Sequence, residues 1–264
     1  MTGPRRPCRA NPGKISLIIP IFNEATHLRR FLEAIDQIRL PLPCELVIVD
    51  DGSTDESSDI ARQFPFVSEV QFLEVQPNHG KGAAVAAGIQ RATGSIIGIQ
   101  DADFECRFDD IARLVDPLIA GHADVVYGSR FAGGANRSLR SIRYLANRAL
   151  TMMSNLANGM SLSDMATCYK FFRAELVRNI NLESRRFGFD PEVTAKLARL
   201  RLRIVELPIS YFPRRHAEGK KITWLDGLAA IWHIFYFNFI ADRERWYRKE
   251  LPVEFTAPGD LTRR

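Results

Sequence analysis

Two aspartates one residue apart, Asp101 and Asp103, close a short apolar run, Ser95 to Gln100 (SIIGIQ). Paired carboxylates at a strand end can hold a hard divalent cation, Mg²⁺ or Mn²⁺, whose shell is completed by substrate phosphates. Glu105, two residues on, is a candidate third ligand. An isolated D-x-D is more often a solvated turn. The strand before it, and other acidic strand ends in the chain, favour the metal.

Asp50-Asp51-Gly52-Ser53 follows a second apolar run (ELVIV). It reads either as a turn with an N-cap, or as a carboxylate that accepts from the ring N–H of uracil or guanine. His79-Gly80-Lys81-Gly82 lacks Walker spacing. It is either a glycine-permitted turn, or a place where backbone N–H groups and the Lys81 ammonium meet a diphosphate.

These residues need elements to position them. Apolar β-branched runs at Ile15–Pro20, Glu45–Asp50, Val70–Val75, Ser95–Gln100 and Asp124–Gly128 read as strands. Segments with helical spacing separate them: Ala25–Ile38, one begun by Ser53 or Thr54 with Asp55 and Glu56 in its first turn, Lys81–Ala92 and Phe108–Ala120. Ser141–Asn158 is a further helix. The alternation predicts an α/β fold with a mostly parallel sheet covered on both faces. In such sheets ligands bind beyond the carboxyl ends of the strands, where Glu24, Asp51, Asp101 and Arg130 would share one rim.

Composition is that of a globular chain, 46% hydrophobic and 25% charged, which excludes disorder and fibrous architectures. The net charge is +5, and Arg178–Lys221 alone carries 11 Lys/Arg against 5 Asp/Glu. That basic segment suits an anionic partner. Cys8, Cys44, Cys106 and Cys168 are widely spaced, so neither a zinc site nor a disulfide framework is expected, and a reducing compartment follows. The basic, Pro-rich start (MTGPRRPCRANPGK) has no apolar core of a secretion signal, and no run reaches the ~18 apolar residues of a membrane span. A cytoplasmic location is the expectation.

IPIFNE (19–24), VDDGSTD (49–55), NHGKGAAVAAGI (78–89), DADFE (101–105) and VVYGSR (125–130), in this order, resemble a family 2 glycosyltransferase of the GT-A fold. DMATCYKFFR (164–173), FGFDPEV (187–193) and ISYFPRRHAEGKKITWLDG (209–227) are similar to the polyprenyl-phosphate hexosyltransferase, dolichol-phosphate mannose synthase-like subgroup. The resemblance spans about residues 14–239 and implies an inverting, metal-dependent transfer of a hexose from a GDP- or UDP-sugar donor to a polyprenyl phosphate. It implies that Pro20, Phe22, Glu24, Asp50 and Asp51 line the nucleoside. Asp101 and Asp103 would hold the metal on the diphosphate. Glu105 stands where the mannose synthases often have Gln. Arg130 and Lys81 would face phosphates, and Lys170 and Arg214, with Lys220 or Lys221, the acceptor phosphate. Asp190 and Glu192 match a region where relatives that glycosylate hydroxyls place a base. With a phosphate acceptor they would bind sugar hydroxyls or cap the helix that Pro191 begins.

Between Asp226 and Asp242 lie 15 uncharged residues, GLAAIWHIFYFNFIA, too short as a helix to span a bilayer. Leu228, Ile231, Trp232, Phe235 and Phe239 share one helical face, and Arg243, Arg245, Arg248 and Lys249 follow. This predicts a C-terminal amphipathic helix at a membrane surface, on the cytoplasmic side, or packed on the sheet or a second subunit as a homo-oligomer. The resulting division is a flexible tail (1–14), a GT-A domain (15–222), an aromatic interfacial helix (223–250) and a tail (251–264). Two other classes compete: a family 2 enzyme acting on a non-lipid hydroxyl, and a nucleic-acid-binding domain using 178–221. The second leaves the acidic strand ends unexplained, so no nucleic-acid partner is expected.

Overall fold

A computed structural model describes residues 13–132, 142–213, 224–248 and 251–256. The first strand, β1 (Ile15–Ile21), is apolar on both faces, as a strand buried between two layers requires. It pairs in parallel with β2 (Cys44–Asp50) on one side and β4 (Ile96–Ile99) on the other, and β2 carries β3 (Glu69–Glu74) at the edge. The helices α1 (Ala25–Ile35), α2 (Ser57–Gln63) and α3 (Lys81–Arg91) connect them. Then follow α4 (Asp109–Ile119), β5 (Val125–Ser129), α5 (Ile142–Asn158), β6 (Lys170–Arg173), α6 (Ala174–Val177), α7 (Phe189–Leu197), β7 (Ile204–Pro208) and α8 (Trp224–Phe239).

The seven strands of the described residues form one sheet in the order β3-β2-β1-β4-β6-β5-β7. All run parallel except β6, which is antiparallel to both β4 and β5. Alternation along β1 divides the core. Ile15, Leu17 and Ile19 meet α1 and α4 (Phe31, Leu32, Leu114, Leu118). Ile18, with Val47 and Val49, meets α3 and α7 (Val85, Ile89, Val193, Leu197). The helical apolar stripes match: Leu28, Phe31, Leu32 and Ile35 are the buried residues of α1.

Several boundaries differ from the sequence reading. The first helix stops at Ile35 rather than Ile38, and the Asp36 carboxylate accepts from the backbone N–H of Val67 and Ser68. Asp55 and Glu56 precede α2, and Asp55 accepts from the Ser57 N–H. The C-terminal helix ends at Phe239, well before residue 250. Its expected face is exposed: Leu228 54%, Trp232 55%, Phe239 67%. Its other side, with Ile234 and Phe237, is buried, and Trp246 is core, packed with Ala195 and Phe237. Among the described residues no helix is long and apolar enough to cross a membrane.

Candidate active site

The carboxyl ends of β1 and β2 are joined loop to loop. Asn23, with φ 51°, donates its N–H to Ser53 Oγ (3.0 Å), and its side-chain carbonyl accepts from the Thr54 N–H (2.8 Å). The Glu24 N–H donates to Ser57 Oγ (2.8 Å). Pro20 is the penultimate residue of β1, in register with Val49, and Phe22 and Glu24 continue from it half-buried on the rim. Asp50 is buried and accepts from both Ser53 N–H (3.0 Å) and Ser53 Oγ (2.6 Å). It shapes its own turn.

Asp51 is also buried, and both its oxygens are engaged. One accepts from the His79 N–H (2.9 Å), the other from the Gly80 N–H (2.6 Å) and Asn78 Nδ2 (2.9 Å). Its carboxylate thus builds the turn that leads into α3. Gly80 has φ 91°, and a Cβ there would stand 2.5 Å from the Arg186 N. A Cβ on Gly82 would stand 2.3 Å from the Ser184 carbonyl oxygen. These glycines let the 184–186 segment lie directly on the head of α3.

Four charges converge above the sheet. Lys81, in the first turn of α3, reaches across to Asp101 at the end of β4, with Nζ 2.6 Å from Oδ1. Lys170 opens β6, and because that strand is reversed its first residue joins the carboxyl rim, paired with Ile99 and Tyr127. The Lys170 ammonium, 1% exposed, is in contact with Asp190 of α7 and donates to the Thr167 carbonyl (2.7 Å). The Tyr127 ring lies 5.2 Å away. Burial, reinforced by the like charge of Lys81, holds the Lys170 pKa below that of an ordinary lysine although Asp190 opposes the shift. Lys81 goes the other way: burial lowers it, but Asp101, Asp190 and Asp103 together outweigh burial and raise it.

Asp103 folds back: its N–H donates to the Asp101 carbonyl (2.7 Å), and its Oδ1 accepts from the Glu105 N–H (3.0 Å). The Glu105 carboxylate accepts from the Tyr211 hydroxyl (2.9 Å). Among the described residues no three His, Cys, Asp or Glu side chains gather as a metal site, so the structure does not assemble Asp101, Asp103 and Glu105 as one ligand set. Asp101 and Asp103, adjacent at a strand end beside a cationic rim, still fit a hard divalent cation that takes its remaining oxygens from a diphosphate.

Arg130 stands at the end of β5. Its guanidinium makes a two-pronged pair with buried Asp164 (2.7 and 2.8 Å) and donates to the Ala166 carbonyl (2.7 Å). It ties the end of β5 to the segment before β6. Glu192 likewise turns inward. It pairs with fully buried Lys196 (2.6 Å) and accepts from the N–H groups of Glu183 (2.8 Å) and Ser184 (2.7 Å), which fixes the segment lying on α3. Arg214, Lys220 and Lys221 lie outside the described residues.

Cysteine pairing also departs from expectation. Cys106, beside Glu105, and Cys168, two residues before Lys170, bring their sulfurs into contact across a sequence separation of 62. Cys44 is free, and burial pushes its thiol up to about 12. Sequence reasoning missed Asn23, Thr167 and Tyr211 as organisers of the rim. A non-glycine turn residue after a strand was the signal at Asn23; the other two had none.

Residues 16–180 match the family model described as Glycosyl transferase family 2. An undecaprenyl-phosphate 4-deoxy-4-formamido-L-arabinose transferase of Pectobacterium carotovorum subsp. carotovorum (strain PC1) is 30% identical over 212 residues, covering 78% of this chain and 62% of that protein. A dodecaprenyl-phosphate galacturonate synthase of Rhizobium johnstonii is 30% identical over 212 residues, covering 78% and 61%. The chain thus spans about three fifths of the length of these curated relatives. Glucosyl-3-phosphoglycerate synthase from Mycobacterium tuberculosis, solved with Mn²⁺, UDP and phosphoglyceric acid, superimposes with a TM-score of 0.67 at 20% identity, over 88% of this chain and 80% of that one. The same enzyme with Mn²⁺ and UDP-glucose gives 0.65 at 18% identity, over 88% and 81%. The likeness is one of fold: a GT-A α/β sheet.

Proposed function

This chain belongs to glycosyl transferase family 2, and from that premise we propose that it moves a sugar from a nucleotide-sugar donor to a polyprenyl phosphate. The observation that carries the reading is the cluster Asp101–Lys81 and Asp190–Lys170 on one sheet rim. It offers carboxylates for a diphosphate-bound cation and, beside them, an ammonium group for the diphosphate and another for a second anion. The curated relatives named for undecaprenyl- and dodecaprenyl-phosphate chemistry support that choice of acceptor.

A phosphate monoester has its second pKa near ~6 and is largely a dianion at neutral pH. It attacks the anomeric carbon without a general base and inverts that centre in one displacement. The chain therefore needs to supply position and compensating charge rather than a proton acceptor. The pairing of Asp190 with Lys170 supports this reading. Lys170 holds the acceptor's charge against the donor, Lys81 faces the diphosphate, and Asp101 and Asp103 would hold Mg²⁺ or Mn²⁺. Such an ion, when bound, offsets the negative charge that develops on the departing nucleoside diphosphate. The loops tied together by Asn23 and Asp51 shape the nucleoside side of the rim, with Pro20, Phe22, Glu24 and Asp50. The exposed face of α8 brings the site to a membrane surface as a peripheral protein.

The test is transfer to undecaprenyl phosphate from GDP-mannose, UDP-glucose and UDP-N-acetylglucosamine, each with and without Mn²⁺. Formation of a glycosylated lipid phosphate from one donor is the expected result. No lipid product from any donor overturns the reading.

A further inference from the structure

Just beyond β7, Tyr211 stands on a stretch of chain pinned from two sides. The Ile209 N–H donates to the Ser129 carbonyl (2.9 Å), and the Ser210 N–H to the Asp110 carboxylate (2.7 Å). The Phe212 N–H donates to the Glu105 carbonyl (2.7 Å), and Tyr211 itself forms an antiparallel bridge with Cys106. The Arg130 guanidinium lies over its ring (5.3 Å) and is held there by Asp164. Tyr211 therefore belongs to the rigid edge of the sheet, and it faces the loop that carries the acidic pair.

The Tyr211 hydroxyl donates to Glu105 Oε2 (2.9 Å), and the Glu105 N–H donates to Asp103 Oδ1 (3.0 Å). Through Glu105, two hydrogen bonds join the sheet edge to one carboxylate of that pair. We propose that Tyr211 is a positioning residue, which sets the Asp103 carboxylate for the donor's cation by holding Glu105. This rests on the reading of Asp101 and Asp103 as cation ligands, and adds what keeps one of them in place. A carboxylate has about four lone-pair sites, so accepting one N–H leaves Asp103 room for a cation. A loop carboxylate without such support loses side-chain freedom when it binds, and that loss opposes binding. Removing an outer partner of a metal ligand costs roughly 10- to 100-fold in affinity. Glu105 acts as the link and not as a third ligand, because among the described residues its side chain does not gather with Asp101 and Asp103.

The experiment measures Mn²⁺ binding in the presence of GDP or UDP, from the electron paramagnetic resonance of the free ion. Tyr211→Phe keeps the ring beneath Arg130 and removes only the hydroxyl. It should weaken Mn²⁺ binding about tenfold. Unchanged or tighter binding overturns the proposal. Glu105→Ala breaks the same bond from its other end and should weaken binding by the same factor, with the double variant no worse than either. A far greater loss in Glu105→Ala than in Tyr211→Phe makes Glu105 a ligand and overturns the proposal. Nucleotide binding without Mn²⁺ should not change in Tyr211→Phe; an equal loss there shows a general loosening of the rim and also overturns it. A wild-type protein that binds no Mn²⁺ with either nucleotide overturns the proposal together with the metal reading. If Tyr211→Phe weakens Mn²⁺ binding as expected while no lipid phosphate is glycosylated, the acceptor reading falls and the positioning role stands.

Discussion

Asp190→Asn isolates the role of one buried pair. It keeps the volume and one acceptor oxygen but removes the negative charge facing Lys170, which is 1% exposed. Breaking a buried pair from one side costs about 3–5 kcal/mol. The amide hydrogen bond that survives returns about 1 kcal/mol. Asp190 is itself 16% exposed, so solvent softens the loss further. The expected destabilisation is about 2–3 kcal/mol at pH 7, or a fall in Tm of about 5–10 °C for a domain of this size. A ceiling exists, because Lys170 can shed its proton instead, at a cost of about 5 kcal/mol from an ordinary lysine pKa at pH 7. The sign with pH follows. In the variant the native state keeps Lys170 neutral over a wider range while the unfolded chain still binds that proton. The unfolded state therefore holds more protons, and the variant gains stability as pH rises. The gap to wild type should narrow towards pH 10, by up to about 1.4 kcal/mol per pH unit. Urea titrations at several pH values, beside acceptor KM, measure it. A variant as stable as wild type, with a gap independent of pH and an unchanged acceptor KM, refutes the reasoning.

Asp103→Ala should abolish transfer with circular dichroism and Tm preserved; full activity with Mn²⁺ counts against Asp103 as a ligand. Glu45 accepts from Thr93 N–H (2.6 Å), Thr93 Oγ1 (2.8 Å) and Lys14 (3.0 Å), and although burial opposes it, these bonds and that from Ser16 bring its pKa from 4.5 to about 2. Its contribution is therefore present above pH 4.5 and lost as pH falls through about 2. Glu45→Gln should cost about 3 kcal/mol at pH 7 and much less near pH 2, read by chemical denaturation. Gly82→Ala should raise the donor KM and loosen the 184–186 segment, seen as faster hydrogen exchange there, because the new Cβ would sit 2.3 Å from the Ser184 carbonyl.

Much of the rim was legible because local chemistry and periodicity agree along β1 to β5. Ile15–Pro20 and Glu45–Asp50 read as buried strands, so parallel pairing alone put Asp51 and Asp101 at one end. Long-range commitments were not legible. Arg130 follows a strand, but its partner Asp164 lies 34 residues away and could not be read from the local sequence. Asp51 looks available until the turn at 78–80 closes on it. A four-residue strand such as β6 is too short to show a period. Its reversed direction, which brings Lys170 to the rim, exists only in the sheet. Trp246 shares composition with the exposed aromatics of α8, yet it lies in the core because the chain turns back after Phe239. The Cys106–Cys168 pair was hidden for the same reason, since each cysteine is isolated in sequence.

The reversed strand also sets when this protein can begin to work. The half of the sheet built from β1 to β4 and the half built from β5 and β7 touch only through β6. A chain emerging from the ribosome can complete its first four strands early, but the seam stays open until residues 170–173 arrive between β4 and β5, with β7 still to be added outside β5. Closing that seam delivers Lys170 at the same moment. Asp190 of α7, the partner of that lysine, and all of β7 come later still, so the charged cluster is complete only after the seam has closed.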